Sequence, residues 1–193
     1  LYHAFTQPNV MSDCNGHYID TNYEERILPV GETYYSTFSL WDTFRAAHPL
    51  INLVAPDYAS QFVCSMIHHA DTYGYLPIWD LWGQDNYCMI GNHAMPVLSR
   101  AILTGVWKDV PRAYEAMRQS STISHPNSPF EMWERLGFMP ENLQRNSVSI
   151  TMEQSFDDWC VAAVADKLGL TADRDHYLAR SEYYRNLFNP AIG

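Results

Sequence analysis

The sequence predicts an all-α fold, and three observations carry that reading. Apolar residues recur at helical spacing in one segment after another; no window sustains the period-two alternation of a half-buried strand; and helix caps, Pro starts and Gly stops fall at the ends of the periodic segments. With 193 residues, of which 47% are hydrophobic, the chain is long enough to bury a core without disulfide or metal support.

Residues 1–35, punctuated by Pro8, Gly16, Pro29 and Gly31, read as an irregular lead-in. Ser36-Thr37 then offers a cap for a helix through Phe38, Trp41, Phe44 and Ala47 that Pro49 ends. Ile51 to Val54 is the one strand-like run, and it is short. Pro56 at a first helical position, with Asp57 in the first turn, starts a helix that stops near Gly74. Tyr73 to Gly91 reads as the longest loop, rich in aromatic residues and carrying Asp80 and Asp85. The cleanest period follows, with Ala94, Val97, Leu98, Ala101 and Ile102 on one helical face before Gly105. Asp109 caps the next helix, through Tyr114 and Met117, and a Ser/Pro/Asn-rich loop from Ser120 to Pro129 leads to a short piece around Trp133. Ser147 opens the longest helix, with Met152, Phe156, Trp159, Cys160, Ala163, Val164 and Leu168 read as one broad apolar face ending at Gly169. Thr171 caps the last, which runs through Tyr177, Tyr184 and Phe188 to Pro190.

Composition narrows the function. Lys and Arg total 12 against 22 Asp and Glu, a formal charge of -10 that repels phosphate backbones, so neither a nucleic acid nor an anionic membrane is an expected partner. No apolar run approaches the roughly 20 residues that span a bilayer. The opening Leu1 and the closing Asn189-Pro190-Ala191-Ile192-Gly193 turn predict a chain that begins after any export signal and runs on past Gly193. Cys14, Cys64, Cys88 and Cys160 lack C-x-x-C spacing and are expected as buried free thiols, with neither a zinc site nor a disulfide framework indicated. The 14% aromatic content suits sugar-binding clefts as well as cores.

Several constellations are able to carry chemistry. Trp41-Asp42, near a helix start, places an indole face beside a carboxylate, the pair a sugar ring and its hydroxyls require; the structural alternative is a helix-start acceptor beside a core tryptophan. Trp79-Asp80-Leu81-Trp82 and Gly91-Asn92-His93-Ala94 bracket the long loop and are placed to line the same cleft, with a purely structural His93 as the alternative. Adjacent His68 and His69 point to different helix faces and do not make a metal pair. Glu153 and Asp157 lie one turn apart, able to share a cation or to act in acid/base work, with solvated helix charges as the alternative for them and Asp158. No nucleophile elbow, phosphate loop, dinucleotide fingerprint, zincin motif or EF-hand loop is present.

The phrase Ser39-Leu40-Trp41-Asp42-Thr43-Phe44-Arg45 with His48-Pro49-Leu50 resembles glycoside hydrolase family 92, the calcium-dependent exo-acting α-mannosidases. The resemblance continues through Leu76-Pro77-Ile78-Trp79-Asp80-Leu81-Trp82-Gly83, Met89-Ile90-Gly91-Asn92-His93-Ala94, Asp157-Asp158-Trp159-Cys160 and the run from Arg180 to Pro190. It implies an N-terminal β-sandwich, absent here, followed by an (α/α)6 barrel of which residues 36–193 form the incomplete first part, with 1–35 packed on it. It also implies an inverting hydrolysis of mannose-containing glycans with calcium as cofactor, and extracellular or periplasmic residence. Of the family's functional residues, the resemblance carries over Asp42 as a binder of sugar hydroxyls, with Trp41 beside it and Trp79 and His93 on the cleft wall. The family's Glu-Gly-Asn-Ala-Trp-Gln-Tyr and Gly-Asp-x-Asp motifs, which hold its general acid and base, do not occur in the chain; no catalytic or metal-binding residue is assigned, both motifs being expected beyond Gly193 and the calcium ligands largely outside this chain. Family members place Glu where this chain has Asp80. A trehalase-like or glucoamylase-like (α/α)6 glycosidase, and a non-catalytic helical binding module, are the alternatives.

Overall fold

A computed structural model describes residues 1–192; Gly193, the last residue of the expected 36–193 unit, lies outside the described residues. The chain is mostly helical, but the all-α expectation needs correction, because three small antiparallel sheets lie among the described residues. β1 (Asn9–Val10) pairs with β4 (Tyr35–Ser36), and β2 (His17–Ile19) pairs with β3 (Glu25–Ile27), so the segment read as irregular is stitched by short ladders. It has its own apolar cluster, Tyr18, Leu28 and Tyr34, with the Tyr18 and Tyr34 rings stacked at 4.4 Å. Strands of two or three residues are too short to write a period into the sequence.

The third sheet accounts for two further differences. β5 (Phe38–Ser39) takes residues expected in a helix, because Thr37 adopts a left-handed backbone (φ 70) and Phe38 and Ser39 then register with Asp80 and Trp79. The helix begins only at α1 (Leu40–Thr43) and resumes as α2 (Ala47–Val54). α2 absorbs both Pro49 and the strand-like Ile51–Val54, since a proline in the first turn forfeits no intrahelical hydrogen bond. α3 (Pro56–Tyr73) follows the sequence signals, with Pro56 at its start and Gly74 left-handed at its end. The long loop beyond it is a hairpin, β6 (Trp79–Leu81) and β7 (Gln84–Asp85), closed by Trp82 and Gly83, both at positive φ as a type I′ turn demands.

The helical body is α4 (Ala94–Leu103), α5 (Val110–Ser120), α6 (Phe130–Leu136), α7 (Ser147–Lys167) and α8 (Thr171–Ser181), followed by a 3-10 turn over Tyr183–Leu187. Asp109 caps α5 by accepting from the Arg112 N–H at 3.3 Å. The main core lies where α3, α4, α5 and α7 meet, around Val63, Met66, Leu98, Ile102, Met117, Val161 and Ala165. A second cluster, Phe130, Trp133, Met139 and Ile150, seats α6 against α7. The apolar face read along α7 is split. Met152, Phe156 and Trp159 are exposed, whereas Cys160 and Val164 share the buried side with Thr151, Gln154, Asp157 and Asp158.

Candidate sugar site

The Trp41-Asp42 pair sits where β5 turns into α1, so the strand pairing of Ser39 with Trp79 fixes the start of the helix. Ser39 Oγ donates to Asp42 Oδ2, and the Asp42 side chain is exposed. Trp41 is half-buried; its Nε1–H donates to Glu153 Oε1 at 3.2 Å, which ties α1 to the middle of α7 across 112 residues of sequence. The Arg45 guanidinium lies 4.8 Å from the Trp41 ring and 4.7 Å from that of Phe44, while its N–H groups donate to the Trp41 carbonyl.

Glu153 continues inward. His93 Nε2 lies 3.2 Å from Glu153 Oε2 and Nδ1 lies 3.3 Å from Asp157 Oδ1, ion-pair distances on both sides of one ring. Phe44 stacks on that ring at 4.2 Å. Asp157 Oδ2 in turn accepts from the Asn92 N–H at 2.7 Å, and the Asn92 amide donates to Gln154 and Ser128. His93 and Asp157 are each 1% exposed. Burial by itself lowers the His93 pKa, but the Asp157 and Glu153 charges outweigh it and push it up to about 9, so the ring is an imidazolium near neutral pH. Contact with His93, opposed by burial, holds Glu153 below its ordinary value. Gly91 makes the arrangement possible: at φ 79, a Cβ there would stand 2.6 Å from His93 Nε2.

The sequence-predicted residues thus fall into two joined groups. Trp41 and His93 meet through Glu153, and Asp42 and Trp79 meet through Ser39. Trp79 is half-buried and lines a pocket of about 290 Å³ with Pro8, Thr43 and His48. His93 is buried rather than on an open wall, with Phe44 stacked on its ring. Solvated charges were the alternative for Glu153, Asp157 and Asp158, and burial removes it for the two aspartates. The cation that Glu153 and Asp157 share is His93 itself. Asp158 serves elsewhere, accepting from Arg180 at 2.8 and 2.9 Å and from Trp133 Nε1 at 2.8 Å, with burial pushing its pKa up to about 6 despite that partner. Asp80 is also buried, which raises it to about 7; it faces Ser36 and the chain at Gly83 rather than a cleft.

Sequence reasoning missed Phe44, Gln154 and Arg180 as members of these networks. Helical spacing marks Gln154 and Asp157 as close to one face, but only the fold shows that the face is buried.

The residues present do not fit calcium, which takes six to eight hard oxygen ligands. The nearest carboxylates, Glu153 and Asp157, already enclose a cationic ring, and the one group of three potential metal donors among the described residues includes a thiol and an imidazole.

Comparison with known proteins gives a consistent set. The chain matches the Glycosyl hydrolase family 92 catalytic domain over residues 1–193. It is similar to a solved family GH92 α-mannosidase of Bacteroides thetaiotaomicron, at 36% identity and TM-score 0.93 over 98% of this chain and 26% of that one. That α-mannosidase has also been solved in complex with mannoimidazole. A family GH92 inverting mannosidase from Bacteroides thetaiotaomicron VPI-5482 aligns at 28% identity and TM-score 0.89 over 100% of this chain and 27% of that one. An uncharacterized secreted glycosidase of Arthroderma benhamiae is 26% identical over 174 residues, 80% of this chain and 22% of its own length. This chain therefore spans about a quarter of the length of the relatives it matches.

Proposed function

This chain belongs to glycosyl hydrolase family 92, as part of its catalytic domain, and from that premise we propose that it serves an inverting, calcium-dependent exo-α-mannosidase acting on mannose-containing glycans. Support comes from the α-mannosidase and inverting-mannosidase relatives and from the bound mannoimidazole in one of them. The observation that carries the reading onto this chain is the Trp41-Asp42 corner. An exposed carboxylate, oriented by Ser39, stands beside an indole that Glu153 holds in place, which gives a sugar hydroxyl an acceptor and the ring's C–H face a surface.

Asp42 binds sugar hydroxyls in this proposal, with Trp41 beside it and Trp79 on the adjoining wall. His93 acts as a positioning residue: its charge keeps Glu153 ionised, and Glu153 receives the Trp41 N–H. Residues 36–193 are the first part of an (α/α)6 toroid in this proposal, and residues 1–35 pack on it. Inversion requires a carboxylic acid and a carboxylate roughly 6.5–9.5 Å apart across the glycosidic bond. No side chain of this chain is assigned to either role, and the calcium ligands are likewise placed largely outside it. Extracellular or periplasmic residence is part of the proposal, supported by the secreted relative. No described helix is long and apolar enough to cross a membrane.

The test is hydrolysis of an aryl α-mannoside by the full-length protein, with and without a calcium chelator, beside Asp42→Ala. Losing one charge-assisted hydrogen bond of about 1.5–3 kcal/mol lowers kcat/KM by roughly 10- to 150-fold. Unchanged kinetics in Asp42→Ala sink the residue assignment, and activity indifferent to chelation removes calcium from the proposal.

A further inference from the structure

A separate group of side chains has the chemistry of a metal site. Cys64 and His68 are one turn apart on the same face of α3, and Glu32 reaches them from the loop before β4. One sulfur, one imidazole nitrogen and one carboxylate oxygen lie within 4.8 Å of one another. Glu32 Oε2 is 2.7 Å from His68 Nε2.

The loop is clamped to the helix on both sides of Glu32. Gln61 accepts from the Thr33 N–H at 3.0 Å and donates to the Gly31 carbonyl at 3.0 Å, while Ser65 Oγ donates to the Thr33 carbonyl at 3.3 Å. Gln61 and Ser65 flank Cys64 and His68 on α3, so one helical surface fixes the position of all three donors. Cys64 is buried, whereas the His68 and Glu32 side chains are 17% and 28% exposed. Glu32 also lines a cavity of about 670 Å³ with Asp13 and Cys14.

We propose that Glu32, Cys64 and His68 form a binding site for a borderline-soft divalent cation of the zinc class, with water as the fourth ligand. Thiolate and imidazole select such an ion over calcium or magnesium, so the site is distinct from the calcium of the α-mannosidase reading and does not depend on it. Tetrahedral zinc with bonds of about 2.0–2.3 Å sets its donors about 3.5 Å apart. All three separations are within 4.8 Å, so none has to close by more than about 1.3 Å, and the 2.7 Å Glu32–His68 contact opens by less than that. On binding, the thiol proton and the proton shared by Nε2 and Oε2 leave to solvent, and the ion takes their place. The bound ion then ties the loop at Glu32 to α3.

Cobalt(II) is the probe, added to the full chain after it has been stripped with a chelator. One equivalent is expected to produce near-ultraviolet thiolate-to-cobalt charge transfer that zinc displaces, and zinc is expected to raise Tm. Cys64→Ala abolishes the band and the Tm rise. Glu32→Gln, on the partly exposed loop, weakens cobalt affinity at least about tenfold and stands as the test if the cysteine variant does not fold. Absence of a thiolate band in the wild type, its persistence in Cys64→Ala, or unaltered affinity in Glu32→Gln overturns the site.

Discussion

The charge on His93 makes a quantitative prediction for stability against pH. Its pKa rises from 6.5 to about 9 on folding, which corresponds to roughly 3 kcal/mol at about 1.4 kcal/mol per unit. Because the folded value is the higher one, this stabilisation is fully present below pH 6.5 and is lost as pH rises through 9. Glu153, one of the carboxylates that generate it, is held below its ordinary value and so stays ionised throughout that window. The perturbation is His93→Gln, which keeps a polar group between them but no charge. Urea unfolding at half-unit steps from pH 6 to 9.5, followed by tryptophan fluorescence, measures both proteins. Wild type is expected to exceed the variant by the largest margin near pH 6.5 and to lose about 2–3 kcal/mol of that margin by pH 9.5. Asp80 also titrates in this range, but it is common to both proteins and cancels in the difference. A margin that stays constant across the series refutes the assignment of an imidazolium at this position.

Gly91→Ala is expected to flatten the same profile, since a methyl group 2.6 Å from His93 Nε2 displaces the ring, and to cost about 1–3 kcal/mol in backbone strain; the pH series that tests His93 reads it. Arg180→Leu leaves Asp158 charged and buried beside Trp133, so urea unfolding should show a loss of about 3–5 kcal/mol, with a smaller loss once Asp158→Leu is added. Additive losses in that pair contradict the coupling. Asp80 is buried and its folded pKa is raised to about 7, so the protein loses stability as pH rises from 4 toward 7. Asp80→Asn should therefore raise Tm more at pH 8 than at pH 5, and an equal rise at both argues against the buried acid.

Where the sequence could be read, local chemistry decided the structure. Pro56 and Gly74 bound α3 as their backbone preferences dictate, Asp109 caps α5, and the five-residue pattern from Ala94 to Ile102 forms the buried side of α4. Where reading failed, pairing partners distant in sequence decided instead. Phe38 and Ser39 have helical neighbours, yet they join a sheet because Trp79 and Asp80, forty residues on, offer a strand edge. The turn that creates this edge uses Trp82 at positive φ, a residue no turn preference would select.

The site shows the same division. The Trp41-Asp42 pair was legible because its two residues are adjacent, and the one-turn spacing of Glu153 and Asp157 marked two carboxylates able to face one cation. What the sequence could not supply was the identity of that cation, since it comes from a histidine sixty residues earlier, at the start of another helix. His68 was set beside its neighbour His69, but His69 Nδ1 lies 3.1 Å from the Tyr75 carbonyl, and the donors that face His68 are Cys64 one turn back and Glu32 from another element. A single helix face can nominate two members of such a cluster. The third member decides whether the pair is a salt bridge, a hydrogen-bonded support or a metal site, and it is set by the tertiary contact. For α7 the third member is His93, which lies between two carboxylates; for α3 it is Glu32, whose carboxylate lies within 4.8 Å of a thiol and an imidazole, the set we propose takes a cation.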